Sequence, residues 1–88
     1  MPDLKVLTTE ITLTTANTVG NGSLIRVVNL DSTNTVLITL KESATTIGTF
    51  TLGTKDSSYG VEYVIKEPTQ TIEVTGTAVI KATSVGYY

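Results

Sequence analysis

Apolar and polar residues alternate along most of the chain, and this period of two restricts the fold more than any other feature. In Val36-Leu37-Ile38-Thr39-Leu40-Lys41, Val36, Ile38 and Leu40 fall on one face, and Leu37, Thr39 and Lys41 on the other. Successive side chains of a strand point to opposite sides, whereas a helix repeats every 3.6 residues. No segment carries a clear helical repeat. Residue types agree with this. Nineteen of the 88 residues are threonine. Threonine, valine and isoleucine are stiff at χ1 and suit a pleated surface.

Turn signals cut the pattern into about seven segments. Gly20-Asn21-Gly22 ends a Thr-rich opening that holds Val6, Ile11 and Leu13. Over 24–30, Leu24, Val28 and Leu30 share a face with Arg26, while Ile25 and Val27 hold the other. Asp31-Ser32-Thr33-Asn34 reads as a tight turn, because Asp, Asn and Ser bond their own backbone. With the segment that follows, it makes 29–41 a β-hairpin. Gly48 marks a bulge or a close backbone approach inside 46–52.

Over 59–66, Tyr59, Val61, Tyr63 and Ile65 line one side, and Glu62, Val64 and Lys66 the other; Pro68 then stops the strand. Ile72 and Val74 are the inward pair of 71–75. Over 78–88, Val79, Val85 and Tyr87 oppose Ala78, Ile80 and Ala82. The expected fold is all-β, a single small β-sandwich or barrel of about seven antiparallel strands. Residues 1–88 read as one domain, with 1–15 an added strand or a docking arm.

Chemistry-bearing residues are few. The chain has no histidine and no cysteine, so neither a disulfide nor an ordinary zinc site is expected. Six serines have no histidine to act as base. Glu62, Glu67 and Glu73 could pair as glycosidase carboxylates, but read better as solvated charges matched across strands by Lys66 or Lys81. Asp31-Ser32-Thr33-Asn34 lacks the spaced acids of a calcium loop. The expectation is no enzyme, no catalytic residue, no cofactor and no metal.

One arginine, five lysines and a net charge of −2 argue against nucleic acid. No apolar run approaches the length of a membrane helix. Met1-Pro2-Asp3-Leu4-Lys5 does not start as a secretory signal does, so synthesis in a cytoplasm is expected.

Assembly is the remaining theme. Ile25 beside Leu24, Leu37 beside Ile38, Val64 beside Ile65 and Val79 beside Ile80 give several strands apolar groups on both faces. A chain this short has room for one thin core, so a second apolar face points to an interface. Tyrosine supplies large contact area at low entropy cost. Candidate interface residues are Tyr87, Tyr88, Tyr59 and Tyr63, with Leu4 and Val6 of the opening segment. A homo-oligomer is expected, a trimer in preference.

The stretches Arg26-Val27-Val28-Asn29, Val36-Leu37-Ile38-Thr39 and Thr46-Ile47-Gly48-Thr49-Phe50-Thr51-Leu52 continue into Glu62-Tyr63-Val64-Ile65-Lys66-Glu67-Pro68-Thr69 and Val79-Ile80-Lys81-Ala82. Over most of residues 24–85 the chain thereby resembles small virion structural proteins of tailed, marine-type bacteriophages, among them capsid decoration (cement) proteins. The likeness is one of pattern and composition, with no site residues to carry over. It implies a β-sandwich in the virion that binds the major capsid protein or another virion protein. The Thr-rich residues 5–18 depart from that pattern. Two alternatives stand beside capsid decoration: a tail, neck or fibre component, and a stand-alone module binding glycans or a host protein.

Overall fold

A computed structural model describes residues 4–87, Tyr87 by its backbone alone. The all-β expectation holds. Among the described residues there are eight strands and no helix: β1 (Leu4–Val6), β2 (Ile11–Leu13), β3 (Leu24–Asn29), β4 (Val36–Glu42), β5 (Thr45–Leu52), β6 (Val61–Ile65), β7 (Thr71–Thr75) and β8 (Ile80–Tyr87). The count exceeds seven because the opening segment supplies two short strands.

A large sheet runs β6–β3–β8, with β1 and β2 both on the outer edge of β8. They lie end to end: Leu4 pairs with Tyr87 and Val6 with Val85, then Ile11 with Ala82 and Leu13 with Ile80. Across the break the Leu7 amide donates to Ser84 O at 2.9 Å, and Thr8 Oγ1 accepts from the Ser84 amide at 3.1 Å. The opening segment is thus an interrupted edge strand on its own chain's sheet.

A small sheet has the order β5–β4–β7. The two sheets stack as a flattened sandwich of 35 × 33 × 19 Å, the thickness of two layers about 10 Å apart with their outer side chains. Leu13, Val19, Ile25, Val27, Val36, Ile38, Leu52, Ile72, Ile80 and Ala82 form the core between them. Val19 enters this core with φ at 52°, a costly conformation for a β-branched residue that its burial maintains.

Beyond β2 the chain crosses from one sheet to the other. Thr14 O accepts from the Val74 amide at 3.2 Å, and Asn17 and Ile72 exchange both backbone hydrogen bonds at 3.0 Å. This closes the β2–β7 side of the sandwich and leaves β5 and β6 as the edges of the opposite side.

One expectation is corrected. Residues 29–41 are not a hairpin, because β3 pairs with β6 and β8 while β4 pairs with β5 and β7. The Asp31 turn carries the chain between layers. Ile25 and Val27 on β3 and Val36 and Ile38 on β4 are all buried, and stacking faces them toward each other where side-by-side pairing would not. The hairpin is β4–β5, with Glu42 opposite Thr45 and Ser43 at φ 54°. Its pairing slips between Leu40/Gly48 and Lys41/Thr46, leaving Ile47 unpaired. A Cβ at Gly48 would meet nothing within 4 Å, so this glycine marks the bulge and not a close approach.

Candidate functional site

The two outer faces differ in character. Outside the small sheet the register sets Thr51, Leu37 and Thr75 in one row, Thr49, Thr39 and Glu73 in the next, and Thr46, Lys41 and Thr71 in a third. This face is threonine-coated, and its charges are paired: Lys41 Nζ meets Glu73 Oε1 at 2.5 Å. The expected cross-strand partners, Lys66 and Lys81, do other things. Lys81 Nζ donates to Thr12 Oγ1 at 2.6 Å. Lys66 is buried and donates to the carbonyls of Glu67 and Pro68 at 3.3 and 3.2 Å, and this burial lowers its pKa.

Outside the large sheet the face is apolar. Pairing sets Val27 beside Ala82 and Glu62, and Ile25 beside Ser84 and Val64. Those residues turn toward the core, so their strand neighbours turn away from it. The outward set holds Leu24, Arg26 and Val28 on β3, Val61, Tyr63 and Ile65 on β6, Lys81, Thr83 and Val85 on β8, and Leu4 and Val6 on β1. Its exposed members include Ile65 at 81%, Val6 at 65% and Tyr63 at 43%. The more apolar side of β6 therefore faces water.

Within this face lies an open depression of about 300 Å³, lined by Leu4, Val6, Glu10, Arg26, Thr83 and Val85. Arg26 is half-buried there and forms no ion pair with any described residue. Arginine keeps its charge at any relevant pH and offers five N–H donors.

Of the expected interface residues, Leu4, Val6 and Tyr63 share this outer face. Tyr59 stands apart in the loop between β5 and β6, half-exposed and against Gly53. Tyr87 pairs by its backbone with Leu4; its side chain and Tyr88 lie outside the described residues. Arg26, Glu10, Thr83 and Val85 were not among the sequence candidates. The signal for Arg26 was present: a lone cation two residues from Leu24 and from Val28 in a strand without other charges.

The carboxylates are dispersed. Glu62 stands on β6, Glu67 in the following turn, and Glu73 pairs with Lys41 on the other sheet. Among the described residues, no three His, Cys, Asp or Glu side chains come close enough to hold a metal. Asp31 serves its turn: Oδ1 accepts from the Thr33 amide at 2.8 Å and the Asn34 amide at 3.0 Å. These bonds, with those from the two side chains, hold its carboxyl well below the usual range. No family model matches this chain, and no curated protein or solved structure is significantly similar to it.

Proposed function

We propose that this chain is a non-enzymatic structural protein that works through its surfaces, as a decoration subunit that binds and stabilises a virus capsid. The observation that carries the surface role is the apolar outer face of the large sheet, where Val6, Val61, Tyr63 and Ile65 are all at least 40% exposed. Contiguous apolar surface of this kind marks interaction sites. Arg26 and Tyr63 are paired neighbours on it, and both residue types are enriched at interface centres. The resemblance of residues 24–85 to small phage virion components supplies the setting: manufacture in a host cytoplasm, then binding to the major capsid protein or another virion protein.

Quantitative mass spectrometry and immuno-electron microscopy of purified particles test this reading. The expected result is many copies per particle on the capsid, with capsids that lack the chain disrupted at lower temperature. Chain found only in lysate and never in particles sinks it. The open edge strand β5 favours a second reading. Thr45–Leu52 carries no charge and no proline, so its free backbone groups suit strand addition between subunits, as a tail, neck or fibre component requires. Position in the particle separates the two.

A further inference from the structure

We infer that the β3, β8 and β1 part of the large sheet's outer face closes on a second copy of this chain through two reciprocal Arg26–Glu10 ion pairs. The inference rests on reading that face as a docking surface; it names the occupant of its β3–β8–β1 part and leaves Val61, Tyr63 and Ile65 on β6 free for the virion contact.

A purely apolar partner would fit Leu24, Val28 and Val6 but would trap the guanidinium of Arg26 without a counter-charge. Burying such a charge without a counter-charge is strongly unfavourable. The occupant must therefore bring a carboxylate to Arg26. This chain carries one at the right place. Glu10 lines the same depression as Arg26, yet the two form no ion pair. The register explains their separation. Arg26 pairs with Thr83 from one side of β8. Glu10 precedes Ile11, which pairs with Ala82 from the other side. Arg26 and Glu10 thus flank Thr83, one strand to either side.

A twofold axis along β8 above Thr83 exchanges those two sides. It sets Arg26 of each copy over Glu10 of the other, the mutual pattern a twofold interface requires. The same operation lays β1 over β3 of the second copy, so Val6 meets Leu24, apolar on apolar. The two Lys81 side chains approach near the axis, where each is drawn aside onto Thr12 Oγ1 at 2.6 Å. Reciprocal charges on one face select a closed pair over the trimer expected from sequence.

Sedimentation equilibrium of the full chain over a wide concentration range tests this. The expected species is a dimer. Arg26→Glu and Glu10→Arg should each weaken it about tenfold or more, and the double exchange Arg26→Glu with Glu10→Arg should restore it. Arg26→Gln is the milder variant should Arg26→Glu fail to fold, and circular dichroism confirms folding of each. A monomer at every concentration, a trimer, or single variants whose loss the double exchange does not repair would overturn the inference. Particle localisation stays independent: a monomer found on capsids defeats the pairing alone, and a dimer absent from particles defeats the capsid role alone.

Discussion

Asn29 Nδ2 donates to Gly53 O at 2.9 Å across 24 residues of sequence, in a setting where Asn29 has no exposed surface. The same amide nitrogen donates to Asn34 O at 2.9 Å, and Oδ1 accepts from the Asp31 amide at 2.8 Å. One buried side chain thus joins the end of β3, the turn into β4 and the loop after β5. Its three bonds satisfy backbone groups that water cannot readily reach, which is the condition under which a buried amide is tolerated.

Asn29→Leu should therefore destabilise the protein although it adds apolar volume. Stranding the Gly53 carbonyl should cost about 1–3 kcal/mol. Urea unfolding checks this, with the midpoint falling at unchanged slope. An unaltered midpoint would mean that water replaces the amide.

Ile38 and Ile65 should respond oppositely to truncation. Ile38 is fully buried, and Ile38→Ala should cost about 2–5 kcal/mol. Ile65 is 81% exposed, and Ile65→Thr should stay within about 0.5 kcal/mol of the parent. Thermal unfolding of the two variants compares them directly; equal losses would contradict the assignment of β6's apolar side to the outside.

The Asp31 turn makes stability depend on pH in the acid range. Its folded carboxyl lies below the ordinary value of 3.8, first because of the Thr33 amide and then the Asn34 amide. A lowered folded pKa means that the unfolded chain takes up the proton first. The contribution is full above about pH 4 and is lost as pH falls through and below the unfolded value. Asp31→Asn should lower the melting temperature at neutral pH and flatten its decline in acid. A parallel acid limb in both proteins would rule the effect out.

Two glycines should part company on conversion to alanine. A Cβ at Gly60 would stand 2.2 Å from Thr54 O, a backbone atom, and Gly60 O accepts from the Asn29 amide at 2.9 Å. Gly60→Ala should cost about 2 kcal/mol or more, because backbone must shift. Gly48 has nothing within 4 Å of its Cβ position, so Gly48→Ala should stabilise by roughly 0.4–1 kcal/mol through the unfolded chain. Chemical denaturation of the pair measures both.

Alternation and turn chemistry were legible in the sequence. They determined that the chain is all-β, that Ile72 and Val74 share a face, that Asp31 through Asn34 turn, and that Gly48 marks an irregular strand. Each is a local property, set by side-chain direction or by hydrogen bonds within a few residues. What period two cannot contain is which strand lies beside which. That pairing, and the stacking of the sheets, came only with tertiary structure. They turned the supposed hairpin at 29–41 into a crossing between layers. They also set Val64 and Glu62 beside Ile25 and Val27, which sent the richer apolar side of β6, with Tyr63 and Ile65, toward solvent. Arg26 and Glu10 meet one depression for the same reason: two segments far apart in sequence flank Thr83 because both hydrogen-bond beside β8. The pleat fixes which side chains travel together, and neighbouring strands decide whether they travel inward or out.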